Sequence, residues 1–215
     1  MKSQALSRIR LGLIALALSA LLFALGIVVR GAVDIADPEA LIRAAASPGY
    51  IPGWTIILVG WVLQLYGTFG LYRYLTYQAK SLIAFLALVL KIAGIALAFP
   101  LFTFLPVSVP VIADLYQQGN QEVIAVVEAN FTGLGLVLLG VAAVAGITGQ
   151  MLFGIAIWRH GRLPKWTGVL YALSPLLAAF PVYLPVELLG AVLLLISTGL
   201  IAWKVWQESI AGAGQ

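Results

Sequence analysis

The sequence predicts an all-α polytopic membrane protein: six transmembrane helices in one bundle, both termini cytoplasmic, and short helices in the external loops. Three observations carry that expectation. Six apolar runs each approach the about 20 residues that a helix needs to cross the hydrocarbon core. Only 9% of the residues are charged and 62% are hydrophobic, with a mean hydropathy of +1.06, far from the roughly 25% charged residues of soluble domains. The charges also alternate. Lys2, Arg8, Arg10, Arg73, Lys80, Arg159, Arg162, Lys165 and Lys204 mark one end of the runs, and Asp34, Asp37, Glu39, Asp114, Glu122, Glu128 and Glu187 mark the other. Short loops rich in Lys and Arg resist translocation, so the basic end is expected in the cytoplasm of a multi-pass protein of the cell (inner) membrane. Of 12 basic residues, only Arg30 and Arg43 fall at the opposite end, and Lys91 falls inside a run.

The runs make a single domain, 1–215. The first, Leu11 to Val29, follows a basic segment but is longer than the roughly 7–15 apolar residues of a signal peptide, so it reads as an uncleaved first helix. Asp37, Pro38 and Glu39 then spell a helix start ahead of Ala40 to Ala46, with Ser47, Pro48 and Gly49 as the stop. The second and third runs, Trp54 to Tyr72 and Leu82 to Leu105, form a hairpin through a short basic loop. The second external loop, Val107 to Phe131, is expected to hold helical pieces broken at Gly119 and Asn120, and its latter half to run straight into the fourth run, Thr132 to Trp158. From Gln121 to Trp158 one helix would be roughly 55 Å long. Trp166 to Tyr183 and Val186 to Trp206 complete the set. Trp54, Tyr72, Trp158, Trp166, Trp203 and Trp206 stand at run ends, as interfacial anchors do. Pairs of small residues, Ala142 with Gly146, Ala145 with Gly149 and Gly94 with Ala98, have the spacing of close helix contacts.

Several chemistries are excluded. The chain has no cysteine and one histidine, His160, which removes disulfides, thiolate catalysis, cysteine metal sites and paired-histidine haem ligation. His160 itself reads as a solvated loop residue. No phosphate-binding loop, nucleophile elbow or zinc-protease motif occurs, and no cofactor is implied. The net charge of +4 suits basic loops facing anionic lipid rather than nucleic acid. Glu128 and Glu187, both near the external end, can be placed face to face, but two carboxylates without a ligand pattern do not make a catalytic pair.

One stretch has a wider likeness. A glycine-rich span ends in FGIAIWRHGRLPKWTGVLYALSPLL, with Gly154, Arg159, Leu163, Pro164 and Gly168 at fixed intervals. From Thr132 to Leu177 the chain resembles a family of bacterial six-span integral-membrane proteins known as a domain of unknown function, and GWVLQLYGTFGLYRYL in the second run fits as well. The resemblance implies architecture and a bacterial membrane, and it transfers no catalytic residue. Within the chain, Phe69 to Arg73 and Phe153 to Arg159 share a faint likeness that a duplication would explain.

Lys91 is the residue to single out. It lies roughly 15 Å above the basic end of its run, near the bilayer centre, where a charge is expensive and marks a functional or paired position. Ser19, Gln64, Gln150 and Ser174 fall roughly 12–14 Å deep on their own runs, with Ser197 and Thr198 slightly shallower. Turned inward, they would surround Lys91 with neutral hydrogen-bonding groups and no acid. Three readings stand: polar glue between helices, a ligand or ion site formed by Lys91, Gln64, Gln150 and Ser174, or a shifted helix that lets Lys91 snorkel. Pro100 and Pro175 interrupt the third and fifth runs and free the carbonyls of Ala96 and Tyr171, a packing device first and a site feature second. The sequence therefore favours a non-enzymatic protein of the lipid bilayer that holds a lipid or small hydrophobic or anionic ligand, or joins a membrane complex, in an oligomeric state the residues leave open. A membrane-embedded lipid-modifying enzyme, or a small transporter or channel, is the alternative.

Overall fold

Backbone polar groups in an apolar run find no partner in hydrocarbon, so such runs close their hydrogen bonds on themselves as helices. In the computed structural model, which describes residues 2–77, 80–178 and 183–213, the long elements are α1 (Lys2–Arg30), α3 (Tyr50–Thr76), α4 (Leu82–Val107), α7 (Gly133–His160) and α9 (Leu184–Ala213). The shorter ones are α2 (Pro38–Ala45), α5 (Val109–Gln117), α6 (Ile124–Phe131) and α8 (Lys165–Ala178), with a 3₁₀ turn at Gln121–Val123. Among the described residues, five segments are long and apolar enough to cross a membrane: Leu6–Arg30, Tyr50–Thr76, Leu82–Gln117, Gly133–His160 and Leu184–Gln207. The span expected over 166–183 corresponds to α8, whose 14 residues reach about 21 Å; residues 179–182 lie outside the described ones.

The six inner elements meet in a closed circuit. Helix α1 lies along α3, α3 against α4, α4 along α7, α7 against α8, α8 against α9, and α9 returns to α1. Glycines set the closest approaches. A Cβ at Gly70 would stand 2.7 Å from the Gly12 Cα, and one at Gly67 would stand 2.6 Å from the Leu16 Cα, so α1 and α3 touch backbone to backbone. Between α4 and α7, a Cβ at Gly94 would overlap the backbone of Gly146, and one at Gly149 would overlap the Lys91 nitrogen. Gly146 differs from its neighbour: a Cβ there meets only the Gly94 Cα at 3.8 Å, an ordinary contact.

The acidic end carries a cap. Asp37 accepts a hydrogen bond from the Ala40 amide at 3.0 Å and Pro38 opens α2, as the cap residues require. Helices α2, α5 and α6 pack on one another, burying Leu41, Ile42, Val109, Ile112 and Val127. The expected continuous helix from Gln121 to Trp158 does not form. Thr132 is extended and Gly133 takes φ +51, a left-handed value that suits glycine. The chain turns there, so α6 belongs to the cap and α7 starts afresh.

The two similar stretches pack differently. Gly70 meets α1, which precedes it in the chain, whereas Gly154 meets Gly168 on α8, which follows it. The likeness does not extend to their surroundings.

Candidate functional site: a cavity inside the helix circuit

The circuit encloses a cavity of about 450 Å³ with walls from all six helices. Its apolar walls include Phe23 and Ile27 from α1, Trp54, Ile57 and Trp61 from α3, and Ile95 and Phe102 from α4. The Trp54 and Trp61 rings stand 5.7 Å and 5.0 Å from that of Phe102. Trp54 is thus not the interfacial anchor its position suggested: it is 2% exposed and faces inward. Trp158, Trp166, Trp203 and Trp206 stay exposed as anchors would.

Two polar stations interrupt this wall. The deeper one is built around Lys91, which is buried and fronts the cavity. Close contact of Gly149 with the Lys91 backbone brings the next residue, Gln150, beside the lysine side chain, and Lys91 Nζ donates to Gln150 Oε1. The Gln150 amide then donates to Ser174 Oγ at 2.7 Å and to the Tyr171 carbonyl at 3.2 Å, while Ser174 Oγ donates to that carbonyl at 3.0 Å. The Tyr171 carbonyl is open because Pro175, four residues on, has no N–H to offer it. The proline in α8 therefore has a local purpose: it frees the acceptor that orients Gln150. Pro100 in α4 is exposed and lies off the cavity wall.

Of the residues expected around Lys91, the structure joins Gln150 and Ser174 directly, and Gln64 reaches the same cavity from α3. Ser19, Ser197 and Thr198 are buried but do not join. Their hydroxyls donate to carbonyls of their own helices, Leu16 at 2.7 Å and Leu194 at 2.9 Å and 2.7 Å. A hydroxyl one turn from a carbonyl satisfies itself, whereas a glutamine amide has to look across to a neighbour.

The second station was not anticipated. Arg30, expected at the external surface, is buried at the end of α1, where its Nη2 bonds Glu187 Oε2 at 2.6 Å. Its guanidinium carbon sits 4.4 Å from the centre of the Trp54 ring, within cation–π reach. Glu187 therefore pairs with Arg30, not with Glu128, which is exposed. Both members line the cavity. The available signal was a lone arginine ending an apolar run opposite a lone glutamate opening another. His160 differs too: it ends α7 half-buried, its ring 5.1 Å from that of Tyr74, instead of lying in a solvated loop.

Fold and site together define an all-helical protein with an apolar internal chamber, one neutralised ion pair and one lysine held by neutral groups. The chain matches no family model, no curated protein and no solved structure.

Proposed function

We propose that the protein is a non-enzymatic, multi-pass membrane protein whose chamber holds a small amphipathic ligand, with the ligand's polar group at Lys91, Gln150 and Ser174 and its apolar body against the aromatic wall. The observation that carries this is the mismatch at Lys91: a cationic side chain fronts a cavity whose one carboxylate among the described residues, Glu187, is already bound by Arg30. Ligand pockets are mostly apolar with a few placed polar groups and a volume of about 300–1,000 Å³, and this chamber fits that description. Among the described residues Lys91 bonds Gln150 and no carboxylic acid, and the Ser174 hydroxyl beyond it donates to the Tyr171 carbonyl instead of to a base, which weighs against the lipid-modifying alternative. The two hairpins meet different neighbours, which weakens the repeat-based argument for a transporter.

The same reading takes α8, with the residues beyond it, as a sixth span and places the basic end in the cytoplasm of a bacterial cell, in keeping with the family likeness over Thr132 to Leu177. Tags at both termini should then report cytoplasm. A cysteine at Gly119, exposed between α5 and the 3₁₀ turn, should react with an impermeant reagent from outside, and its failure to do so beside a reactive control would overturn the orientation.

Native mass spectrometry tests the ligand reading. Wild-type protein in mild detergent should carry a bound small molecule, and Lys91→Met should lose it while staying folded and melting no lower than ligand-free wild type. Retention of the same mass by Lys91→Met would remove Lys91 from the site.

A further inference from the structure

The chamber has a mouth, and its place and chemistry bear on what can enter. Of the wall residues only Leu136, Gly140, Ala143 and Ala178 are exposed. The first three follow one another at i, i+4 and i+7 and share one face of α7, and the fourth ends the described part of α8. Helices α7 and α8 are closest at the Gly154–Gly168 crossing. Toward the acidic end the mouth opens between them. It lies on the side of the molecule, among residues such as Val137 and Val144 that are 59% and 67% exposed, and its four exposed wall residues carry no polar side chain.

Resting on the ligand reading above, we infer that the mouth between α7 and α8 admits a single-chain carboxylic acid sideways from the bilayer, and that its carboxyl group docks at Lys91 with the chain along Trp61, Trp54 and Phe102. Size limits the ligand to one chain. At about 30 Å³ for each water-sized group, 450 Å³ holds roughly 15 methylene-sized groups, too few for a two-chain lipid. The distance suits the pose, because Lys91 and Phe102 are separated by about 16 Å along α4. The mouth selects the head group. A permanent anion such as a sulfonate or phosphate cannot shed its water to pass a wholly apolar opening, whereas a carboxylic acid passes in its neutral form. Inside, it meets an amine that Gln150 holds in place and that has hydrogens to spare for a second acceptor. Arg30 does not compete for the carboxyl group, since Glu187 occupies it.

Tryptophan quenching tests this with a probe of defined structure: a saturated carboxylic acid of roughly 15 carbons, brominated near its methyl end. In detergent-solubilised wild-type protein the probe should quench saturably, and Trp54→Phe/Trp61→Phe should remove that component. The alkyl sulfonate of equal length should associate at least about tenfold more slowly, and the acid should bind Lys91→Met at least about tenfold more weakly. Gly140→Phe narrows the mouth at a position where a Cβ meets nothing within 4 Å, so folding is preserved; it should slow both association and dissociation by about tenfold or more. Val137→Phe, on the same helix but off the wall, should change neither rate.

Each outcome has one meaning. Unchanged rates in Gly140→Phe overturn the mouth while leaving the site. Equally fast association of the sulfonate overturns the carboxylic acid. Absence of saturable quenching by either probe, in protein that carries a copurified mass lost in Lys91→Met, overturns this inference and leaves the ligand reading standing; absence of both overturns the two together.

Discussion

The chamber holds two cationic side chains in opposite circumstances. Arg30 is fully answered: a carboxylate at 2.6 Å and an indole face at 4.4 Å surround it. Among the described residues Lys91 is answered only by Gln150, itself steadied by Ser174 and the Tyr171 carbonyl. Burying a charge costs several kcal/mol unless it is paired and hydrogen-bonded. A station that neutralises itself explains itself as structure, and one that does not is where a ligand belongs. The two sites also differ in geometry. The arginine pair joins α1 to α9 and closes the circuit near the cap, whereas the lysine station spans α4, α7 and α8 along the chamber wall.

Substitutions sharpen that contrast, and the largest effect is expected at the ion pair. Glu187→Ala leaves Arg30 buried and uncompensated, so it should destabilise the detergent-solubilised protein by about 3–5 kcal/mol. A melting temperature within a few degrees of wild type would mean that the pair is not buried in solution. Next comes Gly149→Leu, which thrusts a side chain into the α4 backbone at Lys91 and should cost about 1–3 kcal/mol or more. Gly146→Ala makes only an ordinary contact and should be close to neutral. Equal effects of the two would contradict the close α4–α7 approach. Gln150→Leu removes the bridge between Lys91 and Ser174 and leaves the lysine without its acceptor, so it should cost about 1–3 kcal/mol, read by the same melting assay. In ligand-free protein the smallest change in stability is expected for Lys91→Met, near zero or favourable, because it deletes a buried charge that among the described residues is bonded to a neutral group.

Much of this was legible in the sequence, and the failures are instructive. Lys91, Gln150 and Ser174 were found by counting rises along separate helices, since depth is conserved when helices run side by side across one slab. Counting rises cannot say which way a hydroxyl turns, so Ser19, Ser197 and Thr198 matched in depth yet bond within their own helices. Arg30 and Glu187 escaped because a charge at a run end reads as a surface charge by default. The short helices of the external loops were expected, but nothing in their sequence says that α2, α5 and α6 pack on one another as a cap that buries the level of Arg30 and Glu187. The turn at Thr132–Gly133 was likewise hidden, for apolar residues continue on both sides and one left-handed glycine reverses the chain. The residues at fixed intervals after the glycine-rich span have structural places: Gly154 and Gly168 form the α7–α8 crossing, Gly161 adopts the left-handed conformation that caps α7, and Leu163 is buried in the core.

The contrast between the two cations is tested most directly by comparing two neutralising changes in one assay. Arg30→Met/Glu187→Leu removes both partners of the pair and leaves no lone charge, so the double variant should stay folded, and Lys91→Met should too. Native mass spectrometry of both, beside wild type, measures what each station does. The account predicts that the copurified ligand persists in Arg30→Met/Glu187→Leu and disappears from Lys91→Met. Loss from the double variant with retention by Lys91→Met would contradict it, and would move the ligand's polar group to the arginine.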